Sequence, residues 1–146
     1  MIYLDYQATT PLAPEAREAM LRWLGGPESD TFGNPHSLHR MGRMAAAAVE
    51  VAREQVAALF PPGGRVIFTS GATEAINLAI RGGRYGAVAC STIEHAAVRD
   101  TARWFGDEHD LPVDAEGLVA PDVPIPADAP LGAVMQVNNE TGTIQP

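Results

Sequence analysis

The chain has 146 residues, of which 46% are hydrophobic and 19% are charged, as expected of one globular domain. Its net charge is −8 and no basic residue follows Arg103, which disfavours direct binding of nucleic acid or of an anionic membrane. No apolar run is long enough to span a bilayer, and the first residues lack the pattern of a secretory signal. The single cysteine, Cys90, excludes a disulfide framework and a multi-cysteine zinc site, and these features together favour a cytoplasmic protein.

Two helices are predicted in the amino-terminal part of the chain. Pro14 is typical of the first position of a helix, and a short helix is predicted over residues 15–24. A longer helix is predicted over residues 38–60, because its apolar residues follow the three-then-four spacing of one helical face. Ser37 is the predicted amino-terminal cap of this longer helix.

Strands and helices alternate after residue 60. Short segments rich in apolar and β-branched residues predict strands over 65–69, 86–90 and 131–137, with a weaker strand signal near Pro112. A helix is predicted after each of the first two strands, and prolines exclude a helix from residues 121–130. This alternation predicts an α/β fold with a mainly parallel sheet and flanking helices. The predicted parts are an extended segment over 1–13, a helical part over 14–60 and an incomplete α/β sheet region over 65–146.

Residues 69–74, Thr-Ser-Gly-Ala-Thr-Glu, lie between a predicted strand and a predicted helix. The free amide groups at the start of a helix attract an anion, and the hydroxyl groups of Ser70 and Thr73 are placed to complete a phosphate-binding loop. The segment is not a P-loop, because it has neither the glycine spacing nor the lysine of that motif. Simple capping of the helix by Ser70 is the alternative interpretation.

Two further polar segments follow predicted strands, so both are expected at the edge of the sheet where α/β folds bind ligands. His95 can stack on a flat ring and exchange protons near neutral pH, although, taken alone, it is better explained as a helix cap or as a partner of Glu94. Asn139 lies in the run Asn-Asn-Glu-Thr-Gly over 138–142, and its amide can bond to a polar ring substituent. The alternative there is an ordinary turn rich in Asn and Gly.

Three other candidates carry weaker signals. His36 and His39 have the spacing of two metal ligands, but no third ligand accompanies them, so no metal site is predicted. Cys90 lies within a predicted strand, which favours a buried thiol over a nucleophile. Asn34, between Gly33 and Pro35, is predicted to form a turn.

Five segments occur in a characteristic order along the chain, at 2–11, 31–37, 68–79, 94–98 and 137–142. They include Phe-Gly-Asn-Pro-His-Ser, Thr-Ser-Gly-Ala-Thr-Glu, Glu-His-Ala-Ala-Val and Asn-Asn-Glu-Thr-Gly. In this order they resemble the amino-terminal portion of the cysteine desulfurases, which are pyridoxal-phosphate enzymes of the class V aminotransferase family. The resemblance implies that residues 1–146 form part of a fold-type-I transferase large domain.

The resemblance also implies a cofactor, pyridoxal 5′-phosphate, and roles for individual residues. Ala72 and Thr73 match the residues that bind the cofactor phosphate. His95 matches the histidine that stacks on the pyridine ring and takes part in proton transfer, and it is therefore the implied catalytic residue. Asn139 matches the asparagine that bonds to the phenolic oxygen. Asn34 falls in a loop that borders the substrate site.

The implied activity of this transferase releases sulfur from L-cysteine, giving alanine and an enzyme persulfide for iron–sulfur cluster assembly or tRNA thiolation. The implied partners are a second copy or a complementary chain, and a sulfur acceptor such as an iron–sulfur scaffold protein. The family's cofactor-linking lysine, its aspartate facing the pyridine nitrogen and its persulfide cysteine belong beyond the point that matches Pro146. The sequence has no lysine, and Cys90 does not match the persulfide position.

Several alternatives to an active desulfurase therefore stay open. If the chain is not active by itself, three interpretations are expected. It is an inert truncated fragment, one half of a split desulfurase, or a non-catalytic regulatory fragment. A neighbouring activity such as that of a selenocysteine lyase is also open, since the motifs alone do not set the substrate.

Overall fold

The computed structural model describes residues 2–83 and 85–146. The chain forms two compact units, Met1–Phe68 and Thr69–Pro146. The first unit is helical, and the second contains the sheet. Among the described residues, no helix has both the length and the apolar character that a membrane crossing requires.

The first unit contains α1 (Pro14–Leu21) and α2 (Arg40–Ala57), so both predicted helices are present and both are shorter than predicted. α1 begins at its proline, whose fixed φ suits the first helical position. α2 is capped by His39, whose Nδ1 accepts a hydrogen bond from the Gly42 N–H at 3.2 Å. The prediction of Ser37 as the cap is therefore wrong.

The predicted strand over residues 65–69 is also wrong. The segment is irregular and belongs to no strand ladder within the described chain. Ile67 and Phe68 remain 62% and 48% exposed. The Arg53 side chain contacts the segment, donating to the Val66 carbonyl at 2.7 Å and lying 5.0 Å from the Phe68 ring centre. β-branched residues do not form a strand by themselves, because a neighbouring strand must supply the hydrogen bonds.

The second unit alternates helices and strands as predicted. Its elements are α3 (Ala72–Gly82), β1 (Ala87–Ser91), α4 (Ala96–Phe105), β2 (Asp107–Leu111) and β3 (Leu131–Ala133). The strand order is β2-β1-β3, and both neighbours run parallel to β1. The predicted α/β fold with a parallel sheet is thus confirmed. The weak strand signal near Pro112 corresponds to β2, which ends one residue before that proline.

β3 is shorter than the predicted strand over 131–137. Beyond Ala133 the backbone leaves the ladder, because the Met135 N–H donates at 2.5 Å to the Glu94 carboxylate, a side chain, instead of to a strand. Val137 then forms an isolated antiparallel bridge with Ile144. The carboxyl ends of β1 and β3 consequently lead into two irregular segments at the same edge of the sheet.

β1 is buried along its whole length and lies between two apolar clusters. On one face, Val88 and Cys90 pack with Ile80 of α3 and Ala102 of α4. The alternate residues Ala87 and Ala89 pack with Leu111 and Ala129. Because successive strand residues point to opposite faces, this continuous run of small apolar residues suits the centre of a parallel sheet.

Candidate functional site

A pocket of about 500 Å³ lies in the second unit, beyond the carboxyl ends of β1 and β3. Its walls come from the first turns of α3 and α4, from the turn that precedes α4 and from the segment that follows β3. The volume falls within the range of roughly 300–1,000 Å³ that is typical of small-molecule sites. Its position is the edge of the sheet at which open α/β folds bind ligands.

The start of α3 supplies backbone donors to this pocket. Ala72 and Thr73 are its first two helical residues, and within the described chain neither their N–H groups nor the Thr73 hydroxyl donates to a protein acceptor. Ser70 does not cap the helix: its N–H and its hydroxyl both donate to the Glu74 carboxylate at 2.6 Å. These bonds, that of the hydroxyl first, lower the pKa of Glu74 below its ordinary value. The interpretation of Ser70 as the helix cap is therefore wrong, and its hydroxyl is bonded to Glu74.

His95 is the amino-terminal cap of α4 and also lines the pocket. Its Nδ1 accepts a hydrogen bond from the Ala97 N–H at 3.0 Å. In the neutral ring this bond leaves the proton on Nε2. The capping interpretation of His95 is confirmed, and it is compatible with a ligand contact because the ring is exposed.

The loop after β3 is held by Asn138 and presents Asn139. Asn138 is buried, and its Oδ1 accepts hydrogen bonds from the N–H groups of Glu140 and Thr141, both at 2.9 Å. Asn139 is exposed and lines the pocket. The loop is therefore both the predicted turn and a wall of the site.

Four of the five predicted site residues meet at one place. Ala72, Thr73, His95 and Asn139 come from three separate segments, and all of them line the same pocket. Asn34 belongs to the first unit. There its Oδ1 accepts a hydrogen bond from the His36 N–H at 2.9 Å, which forms the turn predicted for that segment.

Two residues that sequence reasoning did not assign connect the first turns of α3 and α4. Asn77 Nδ2 donates to the Thr73 carbonyl at 2.9 Å and to Thr101 Oγ1 at 3.0 Å. The Thr101 hydroxyl donates in turn to the Ala97 carbonyl at 2.7 Å. Each of the two side chains bonds to the carbonyl four positions earlier on its own helix, and this spacing can be read from the sequence. This chain of bonds fixes one helix start relative to the other.

The electrostatics of the pocket depend on helix ends. Among the described residues that line it, Glu94 is the only one with an acidic side chain, and none is a lysine or an arginine. Positive potential comes from the amino termini of α3 and α4, whose first turns both border the pocket. The pocket offers two backbone N–H groups, a hydroxyl, an imidazole and an amide. This set of groups suits a flat ligand that carries a phosphate.

The remaining sequence candidates lie elsewhere. Cys90 is fully buried in β1, and burial, followed by the nearby Glu108 and Glu94 carboxylates, raises the pKa of its thiol to about 11. This agrees with the predicted structural thiol. Among the described residues, no three His, Cys, Asp or Glu side chains converge as metal ligands.

Comparisons with known proteins agree with this description of the fold. The class-V aminotransferase family matches residues 2–146, so the chain belongs to that family. It is 42% identical over 159 residues to the cysteine desulfurase IscS of Dictyoglomus turgidum and 45% identical over 161 residues to that of Dechloromonas aromatica. These alignments cover 99% of the chain, which spans about 39% of the length of either relative.

Solved structures show the same partial correspondence. A NifS-like protein superposes with a TM-score of 0.83 at 33% identity, covering 99% of this chain and 43% of that protein. DndA from Streptomyces lividans superposes with a TM-score of 0.72 at 33% identity, over 44% of its length. The prediction of part of a transferase large domain is in accord with these neighbours.

Proposed function

We propose that this pocket binds pyridoxal 5′-phosphate and that the protein acts as a cysteine desulfurase. One observation carries the proposal: Ala72, Thr73, His95 and Asn139, which the resemblance nominates from three segments, line one pocket. The identity of about 40% to curated cysteine desulfurases supports the same reaction. The chain spans about 39% of the length of those relatives. The activity is therefore a proposal, and this pocket alone does not establish it.

Each pocket residue has a distinct role in this proposal. The N–H groups of Ala72 and Thr73 hold the cofactor phosphate, aided by the positive end of α3. His95 stacks on the pyridine ring, and its Nε2 exchanges a proton with the reacting groups. The Asn139 amide donates to the phenolic oxygen. When bound, the cofactor supplies an electron-withdrawing ring that stabilises negative charge on a substrate carbon.

The proposed substrate is L-cysteine, and the products are alanine and a persulfide that is passed to an acceptor such as an iron–sulfur scaffold protein. Asn34 is proposed to border the substrate site. The sequence contains no lysine, so the residue that links covalently to the cofactor has to come from outside these 146 residues, and a second copy of them cannot supply it. The proposed location is the cytoplasm.

The cofactor site is tested by titrating the chain with pyridoxine 5′-phosphate, which has no aldehyde and cannot react with the amino terminus. We expect amide shifts in NMR spectra at Ala72, Thr73 and Asn139 and ring shifts at His95. Binding should be weak, because none of the described residues that line the pocket is a lysine or an arginine. Shifts that avoid all four residues would contradict the proposed site.

The reaction is tested by joining the chain to the carboxy-terminal portion of the Dechloromonas aromatica desulfurase and measuring alanine formed from L-cysteine. We expect activity that falls about 100-fold or more in His95→Ala, as for loss of a general acid–base group. Exposed Glu116→Ala is the matched control and should leave the rate unchanged. A rate that is indifferent to His95→Ala would contradict its role.

A further inference from the structure

Two side-chain hydrogen bonds join the turn before α4 to the segment after β3. Glu94 Oε1 accepts a bond from the Met135 N–H at 2.5 Å and another from the Ser91 hydroxyl at 2.8 Å. Asn138 Nδ2 donates to the Ile93 carbonyl at 2.9 Å. We call the side chains of Glu94 and Asn138 the clamp, because together they connect the two segments.

The clamp combines a buried side chain with a partly buried one, and both are hydrogen-bonded. Asn138 is 4% exposed, Glu94 is partly exposed, and Ser91, which donates to Glu94, is 1% exposed. Both polar atoms of the Asn138 side chain are hydrogen-bonded. Its Oδ1 accepts from two backbone N–H groups of its own loop, and its Nδ2 donates to a carbonyl of the other segment. Bonds to a carboxylate and bonds shielded from water are the stronger ones in proteins, so this connection fixes distances closely.

Each clamp residue stands immediately before a residue of the proposed cofactor site. Glu94 precedes His95, and Asn138 precedes Asn139. The sheet does little to fix these two neighbours, because the ladder between β1 and β3 pairs three residues and ends at Cys90 and Ala133. Beyond that point the clamp provides the side-chain connections between the two walls of the pocket.

We propose that Glu94 and Asn138 are positioning residues that set the separation of His95 from Asn139, so that the pocket accepts a flat pyridine ring bearing a phosphate. This inference rests on the proposed cofactor site and extends it. Neither residue is assigned a contact with the ring. Their effect is exerted through His95, which lies on one segment, and Asn139, which lies on the other.

Two variants break the clamp while changing charge in opposite directions. Glu94→Ala removes a negative charge together with the acceptor for Met135. Asn138→Asp adds a negative charge and removes the donor to Ile93, but it keeps the oxygen that accepts from the loop. Glu94→Gln is the conservative variant, since its amide oxygen can still accept both bonds. Exposed Glu140→Ala is the matched control for loss of a carboxylate in the same region.

The readouts are the affinities of the 146-residue chain for pyridoxine 5′-phosphate and for inorganic phosphate, both measured by NMR titration. We expect Glu94→Ala and Asn138→Asp each to weaken binding of the ring ligand about five- to tenfold, the effect of losing one or two hydrogen bonds. Inorganic phosphate should bind within about twofold of the unaltered chain, because neither clamp residue bonds to the α3 amide groups among the described contacts. Glu94→Gln and Glu140→Ala should retain affinity for both ligands.

Other results overturn the inference in distinguishable ways. If the unaltered chain binds pyridoxine 5′-phosphate and both clamp variants bind it equally well, the inference fails and the proposed cofactor site stands. If the two variants change affinity in opposite directions, simple charge repulsion accounts for the effect. If they lose inorganic phosphate as much as the ring ligand, or lose amide protection in β1, their role is structural. If the unaltered chain binds neither ligand, the proposed site fails and the inference fails with it.

Discussion

The fully buried thiol of Cys90 offers a direct test of how β1 is packed. The perturbation is alkylation by iodoacetamide at a series of pH values, which reports both access to the sulfur and its ionisation. Burial and nearby carboxylates raise the pKa of Cys90 to about 11, compared with an ordinary value of 9.0. Since the thiolate is the reactive form, a raised pKa slows alkylation at neutral pH.

The magnitude follows from the fraction of thiolate. At pH 8 a thiol of pKa about 11 is roughly 0.1% ionised, whereas a thiol with the ordinary pKa of 9.0 is roughly one tenth ionised. The native chain should therefore react at least about 90-fold more slowly than the same chain unfolded in urea. The unfolded chain should reach a plateau rate above about pH 10, while the native rate keeps rising about tenfold per pH unit up to about pH 11.

The same shift sets the sign of a stability change. The native thiol stays protonated up to a pH of about 11, while the unfolded thiol begins to ionise near 9.0. The contribution of Cys90 to stability is thus complete below that lower value and is lost as the pH rises towards the higher one. Cys90→Ala, which cannot ionise, is the control for both experiments. Alkylation of the native chain within about tenfold of the unfolded chain would refute the packing described for β1.

Two further substitutions separate packing from function. Gly42→Ala should destabilise the chain by about 1–3 kcal/mol in urea unfolding, despite the better helix propensity of alanine, because the added Cβ would lie 2.3 Å from the Ser37 carbonyl oxygen. Ala47→Gly, at an exposed position of the same helix, is the control and should cost about 1 kcal/mol; a stabilising Gly42→Ala would argue against the close contact. His95→Asn should keep the stability of α4 within about 0.5 kcal/mol, since Asn is a good cap that can still accept from Ala97, yet abolish ring binding. Equal losses of stability in His95→Asn and His95→Ala would show that the imidazole does more than cap.

The strands show where sequence reasoning succeeded and where it failed. β1 was predicted to within one residue, because a run of small apolar residues bounded by glycine and a polar turn is typical of a central parallel strand. β2 gave only a weak signal, centred near Pro112 beyond its end, since its own sequence, Asp-Glu-His-Asp-Leu, has little strand propensity. Its charges are paired from α4: Arg99 lies 3.0 Å from Glu108 and 2.8 Å from Asp110. That pairing depends on tertiary structure, which a local pattern does not contain.

The site was predictable through the order of its motifs more than through any one of them. Taken alone, His95 is better explained as a helix cap, and the structure gives it that role as well as a place in the pocket wall. The capping role predicted for Ser70 is wrong, because Glu74, four residues later, accepts the hydrogen bond of its hydroxyl. The clamp bonds of Glu94 and Asn138 span 41 and 45 residues, so no local pattern reveals them.

The proposed positioning role gains weight from the pocket's composition, since no lysine or arginine is among the described residues that line it. An arginine on a flexible stem can follow a phosphate that is bound in a slightly different place, and its charge attracts the ligand from several directions. Backbone N–H groups at a helix start cannot move in this way, and the field of a helix end falls off within its first turn. The proposed cofactor site, with Ala72 and Thr73 as phosphate donors, therefore depends on where α3 is held relative to the other walls. The Asn77–Thr101 bonds hold α3 against α4, and the clamp holds the turn before α4 against the loop after β3. Binding energy in such a site resides as much in these supporting bonds as in the groups that touch the ligand.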